Sequence, residues 1–217
     1  MTLKSVSTAT GALLASFVAA AHVPYIEGKD YPTDAEFRVE NIIQSKAFYA
    51  YLEESEVDEF VMQIEEPTPI YINMLIPFCK EYATYANAYA LIGPGLPQPV
   101  MDLPVDLQKG YGAIVWNPVY DDWSERPFMY EYFSDRQYFE GIRHRFNATE
   151  PGEYRLIVWH PQGKPGDYIA IIGRTEDFSV SDMRLAYTNT PIIRNHEEMQ
   201  SECTYEGDFS KWFDATD

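Results

Sequence analysis

Cations are scarce in this chain: 16 lysines and arginines stand against 34 acidic residues, a net charge of −18. A surface of that sign repels phosphate, which argues against a nucleic-acid partner, and it disfavours anionic membranes for the same reason. Histidine is scarce as well, with four positions. None of them completes His-Glu-x-x-His, of which His196-Glu197-Glu198 holds only the first half. No Gly-x-Ser-x-Gly elbow is present, and Gly93-Pro94-Gly95 is a turn without the Lys-Ser/Thr of a phosphate loop. An Asp-x-Asp-x-Asp-Gly calcium loop is also missing. The sequence therefore points away from catalysis.

Long apolar runs are lacking too. The longest candidate, Gly11 to Ala21 (GALLASFVAAA), is too short to span a bilayer. With Lys4 before it and Ala19-Ala20-Ala21 at its end, it reads as a secretory signal cleaved before His22. An uncleaved anchor or an N-terminal helix is the alternative. The expected division is a signal over 1–21, a β-sandwich domain over 22–178 and a C-terminal extension over 179–217 packing on that domain. The expected location is outside the cell, with no membrane insertion of the mature chain. Only two cysteines are present, Cys79 and Cys203. In an oxidising compartment they can close one bridge across 124 positions, which the chain-entropy model values at about 5 kcal/mol. Two buried thiols remain the other reading, since spacing alone proves no pairing. Asn147-Ala148-Thr149 marks Asn147 as a glycosylation acceptor.

What the chain does contain is alternation. Residues 23–39 lack periodicity and read as an arm. Strands are then expected over Ser45–Leu52, Glu56–Glu65, Ile70–Phe78, Tyr89–Ile92, Tyr111–Trp116, Phe128–Phe133 and Tyr138–Phe146. Pro67 and Pro69 are expected in the turn before the third of these, outside the strands. Ile70–Phe78 is nearly all apolar, which predicts burial on both faces. A proline-rich loop follows Gly95 and cannot be helix or central strand. The stretch from Thr149 to Gly173, TEPGEYRLIVWHPQGKPGDYIAIIG, reads as a closing hairpin of two strands. Ser179-Val180-Ser181-Asp182 predicts a capped helix around Met183 to Tyr187, followed by a polar tail. Many short strands with almost no helix predict an all-β fold, an antiparallel β-sandwich or jelly roll in one domain.

Three stretches carry a family likeness: Glu56-Val57-Asp58-Glu59-Phe60-Val61-Met62; Tyr89-Ala90-Leu91-Ile92-Gly93; and Pro151-Gly152-Glu153-Tyr154-Arg155-Leu156-Ile157-Val158 with Gly166-Asp167-Tyr168. Together they resemble the pre-peptidase C-terminal modules of secreted proteins. The likeness runs in outline from Ser45 to Gly173, with a proline- and aromatic-rich block between Gly95 and Arg145 as a departure. It implies a secreted, non-catalytic sandwich whose glycine and tyrosine at 152 and 154 shape the fold. Substrate, matrix or Ca²⁺ binding is what such modules are linked to.

Function is expected in the aromatic block from Tyr111 to Phe139. Exposed rings beside hydrogen-bonding groups suit sugars, and Trp116, Trp123 and Tyr130, with Asp121 and Arg126, are the candidate ligand-binding set. The same rings serve as core and cross-strand pairs in many β proteins. Carbohydrate is the favoured ligand and a protein partner comes next. A second class is a copper protein in which the mature N-terminal His22 joins His144 or His160. A third is a calcium-binding structural module using Asp121-Asp122 with Glu125, or Asp102 with Asp106. No cofactor is expected on the favoured reading.

Overall fold

The computed structural model describes residues 22–33, 36–121, 124 and 126–204. The segment read as a signal, 1–21, lies outside them, as do Trp123, Asp122 and Glu125.

The described chain forms two sheets packed face to face. The larger runs β1 (Val23–Ile26), β3 (Lys46–Leu52), β12 (Gly166–Ile172), β5 (Thr68–Pro77), β9 (Arg136–Glu140), β8 (Phe128–Glu131), with β10 (His144–Ala148) also paired to β5. The smaller runs β2 (Phe37–Arg38), β4 (Val57–Ile64), β11 (Gly152–Trp159), β6 (Ala88–Pro94), β7 (Tyr111–Trp116). All pairings are antiparallel except β1 with β3 and β2 with β4. Those two parallel edges are built by the segment read as an unstructured arm. Its short apolar pieces, Val23–Ile26 and Phe37, give no periodic signal, yet they find partners once the sheets exist.

Period-two alternation sets the core. Phe48, Ala50 and Leu52 of β3 face inward with Ile70, Ile72, Met74 and Ile76 of β5. Phe60, Met62, Ile64, Leu156 and Val158 meet them from the smaller sheet. The outward residues are buried as well. Tyr49, Leu75, Ile169 and Ile171 lie beneath Ala186, Ile192 and Ile193 of α1 (Val180–Arg194). On the other side, Leu103, Val105 and Leu107 of the proline-rich loop cover Ala90, Ile92 and Ile157. This double cover explains why β5 and β12 carry apolar runs rather than alternation.

Several expectations need correction. Pro69 lies inside β5, opposite Asn147, where its missing N–H leaves the strand intact. The span Tyr138–Phe146 divides into β9 and β10 at Gly141. The Thr149–Gly173 stretch is no hairpin. β11 pairs with β4 and β6 in the smaller sheet, while β12 pairs with β3 and β5 in the larger. Residues 160–165 cross between the layers, a span that sheets about 10 Å apart require and a tight turn cannot give. The helix is 15 residues long and runs through Pro191. Its cap is the one expected: Ser179 Oγ accepts from the Asp182 N–H, and the Asp182 carboxylate accepts from the Ser179 N–H.

Tyr154 is fully buried, and its hydroxyl donates toward the Pro94 and Glu150 carbonyls at 3.0 and 3.1 Å. Its ring lies against Gly93, where an added Cβ would come within 2.2 Å of Tyr154 Cδ1. Gly93→Ala should therefore cost about 1–3 kcal/mol of stability through overpacking, read as a lower denaturant midpoint at unchanged slope.

Candidate binding edge

β8 is the outermost strand of the larger sheet and pairs with β9. Its pairing to β9 sets Phe128 opposite Phe139 and Tyr130 opposite Gln137. Phe139 belongs to the inner core, so Phe128 and Tyr130 share that side of the sheet. The rings at this edge meet solvent: Phe128 is 43% exposed, Tyr130 41% and Tyr132, in the turn that follows, 80%. The Phe128 ring packs inward on Phe78, 5.3 Å between centroids. Tyr130 and Tyr132 stand edge to face at 4.9 Å. The Tyr130 hydroxyl donates to Asp135, which sits in the positive-φ tip of the β8–β9 turn at φ 57°. Exposed rings in a row on a fixed strand offer large, rigid contact area at small entropic cost.

The other expected ligand residues are scattered. Trp116 is half-buried at the inner end of β7, stacked on Tyr89 at 5.2 Å and against His144 at 3.8 Å. Arg126 is buried between the Tyr120 and Phe139 rings and donates to the Tyr82 and Ala83 carbonyls at 2.6 and 3.1 Å. It pins the loop before β8. Asp121 is exposed and lines a cavity of about 360 Å³ with Asn117, Tyr120, Gln162 and Lys164. Asn147 is exposed on β10.

The histidines have separate surroundings. His22 Nδ1 lies 2.6 Å from Ser45 Oγ. His144 packs on Trp116, while His160 Nδ1 accepts from the Gln162 and Lys164 N–H groups beside Tyr85. Among the described residues no group of three or more His, Cys, Asp or Glu side chains is placed to hold a metal ion. Cys79 and Cys203 form a disulfide.

Sequence reading missed two features of the electrostatics. The first is the exposure of Tyr132, which stands in the turn because β8 ends at Glu131, two residues before the expected end at Phe133. The second is a set of carboxylates held above their ordinary range by burial. Glu27 is pushed up to about 8 although it accepts from the Tyr51 N–H. Asp58 is pushed up to about 7 against the help of the Tyr168 hydroxyl, and Glu198 to about 7 despite its ion pair with Arg136. Burial acts oppositely on the imidazoles, lowering His22, His160 and His196 and bringing His144 to about 4.

No family model matches the chain, and no curated protein matches it. Solved structures do. One is the pre-peptidase C-terminal domain of a Bacillus anthracis collagenase, at 14% identity and TM-score 0.35, covering 64% of this chain and 95% of that one. Another is the Salmonella Typhimurium PliG, a periplasmic lysozyme inhibitor, at 12% identity and TM-score 0.35 over 64% and 97%. An Escherichia coli PliG mutant matches at 11% and TM-score 0.36 over 64% and 96%. The collagenase domain is of the class that the strand motifs resemble. At this distance the likeness concerns the outline of the fold alone.

The carboxylate shifts give stability a definite pH dependence. Glu27, Asp58 and Glu198 bind protons more tightly folded than unfolded, so they stabilise below about pH 4 and lose that contribution as pH rises through 7 to 8. The lowered histidines act only below about pH 6.5, and Lys46, lowered by burial to about 8, works the other way above that value. Between pH 6.5 and 8 the carboxylates act alone. The melting temperature should fall by several degrees across that window, and Glu27→Gln should flatten the fall.

Proposed function

We propose that the protein is a secreted, non-catalytic binding module whose ligand is carbohydrate, held on the β8 edge. The observation that carries this reading is the exposed set of Phe128 and Tyr130 on the edge strand β8 and Tyr132 in the turn that follows it. Sugar rings present flat C–H faces to such side chains. The Tyr130 hydroxyl and Asp135 supply hydrogen-bonding groups beside the rings. Trp116, packed on Tyr89 and His144, and Arg126, buried against Phe139, lie outside this ligand surface. Export is supported by the disulfide and by the signal-like first 21 residues. No helix among the described residues is long and apolar enough to cross a membrane.

The place of β8 at the end of the strand order favours a second reading, a protein partner that adds a strand there. The two readings separate on one panel. Tyr132→Ala and Tyr130→Ala should leave the melting temperature within about a degree, because exposed substitutions cost little, and should weaken retention on immobilised glycans about tenfold or more. Trp116→Ala should instead lower stability by about 1–3 kcal/mol. Unchanged glycan retention in both tyrosine variants would contradict the carbohydrate reading and leave the edge to a protein.

A further inference from the structure

A second opening lies on the outer face of the larger sheet, lined by no residue of α1 among the described residues. It is a cavity of about 200 Å³, small for a ligand pocket. Asn73 of β5 and Ile171 of β12 are directly opposite each other in the sheet and form its floor. Asn73 is only 3% exposed, and its Oδ1 has no hydrogen-bond partner among the described residues. An unpaired amide oxygen at that depth costs about 1–3 kcal/mol, so a sequence selected for stability alone would not keep it.

Charged groups ring the same opening. Arg174 follows β12 directly. Its backbone is fixed by donation to the Ile43 carbonyl at 3.0 Å, and its guanidinium stands 6.0 Å from the Tyr71 ring centre. It forms no ion pair among the described residues. Glu176 lines the cavity too and is likewise unpaired. The Arg143 guanidinium at the rim is engaged by Glu140. Burial lowers the His22 imidazole below its usual range against the pull of Glu131 and Glu176, and its Nδ1 is occupied with Ser45 Oγ, which leaves Nε2 as the ring's remaining polar atom.

We propose that this cavity binds a small free α-amino acid as its zwitterion. Arg174 takes the carboxylate, while Glu176 and Asn73 Oδ1 take the ammonium group. One unpaired cation, one unpaired anion and one buried acceptor make a site of zero net charge, which matches a ligand of zero net charge and rejects a simple anion. The volume admits a short side chain and no polymer. This inference does not rest on the carbohydrate reading, and the two sites occupy opposite sides of the sheet.

The test uses the exported, disulfide-intact protein and ¹⁵N NMR, with serine as probe. Lactate, which lacks the ammonium, and ethanolamine, which lacks the carboxylate, are the comparison arms. Serine should shift the Gly173 and Arg174 amides and the Asn73 side-chain amide saturably, with lactate and ethanolamine at least about tenfold weaker. Arg174→Gln should weaken serine about tenfold. Asn73→Leu should abolish binding while raising the melting temperature, since it removes a buried unpaired group. Absence of a saturable serine shift, equal binding of lactate, or an Asn73→Leu protein that melts lower than the parent would overturn the proposal.

Discussion

The buried carboxylate of Asp167 is the constraint on which the outer layers depend. It stands at the start of β12, 4% exposed, and gathers three donors from distant parts of the chain. The Tyr82 hydroxyl reaches it at 2.7 Å, and the Gln200 and Ser201 N–H groups at 2.8 and 3.0 Å. Each of these donors would be costly to leave unpaired at this depth. Sequence separation makes the arrangement expensive in chain entropy. The Cys79–Cys203 bridge, spanning 124 residues, offsets much of that cost by closing the same loop.

What this knot achieves is cover. With the tail fixed to β12, Glu198 reaches Arg136 on β9 and Thr204 reaches Glu81, so α1 is held at its far end. Its near end is held by the Ser179 cap and by Gln44, which donates to Asp182 and to the Asp177 carbonyl. Its middle is held by Asn189, whose amide donates to the Pro24 carbonyl and to Asp30. The larger sheet thus loses its solvent face to a helix, and the smaller sheet loses its own to the proline-rich loop. Few places remain where the sheets themselves meet water. The β8 edge and the trough over Asn73 are two of them, and both carry groups that the fold alone does not require.

The strands were legible in the sequence because each pairs over several residues with regular alternation. Tyr111–Trp116 is observed over the range expected, and the sandwich follows from the run of such segments. What alternation cannot show is which sheet a strand joins. β11 and β12 read as a hairpin because both are apolar and close in sequence, yet the six residues between them serve equally well as a bridge between layers. The helix was announced by its cap and its length was hidden by Pro191, whose missing N–H only deprives the Tyr187 carbonyl of a donor on an exposed turn. The candidate ligand set was partly legible. Tyr130 is exposed as the binding reading requires, whereas Trp116 and Arg126 are packed, since aromatic density in a sequence signals core and surface alike. Asn73 gave no signal at all: a single amide inside an apolar strand acquires meaning only from the helix that stops short of it.

Hydrogen exchange on the intact protein tests the central claim most directly, by comparing the parent with Asp167→Asn. The Gln200 and Ser201 amides should be protected in the parent to nearly the same degree as the core of β12. In the variant they should exchange rapidly, and the amides of α1 should lose protection with them while the inner strands keep theirs. Protection of α1 unchanged by the substitution would show that the helix holds its place without the knot, and the dependence argued from Asp167 would be wrong.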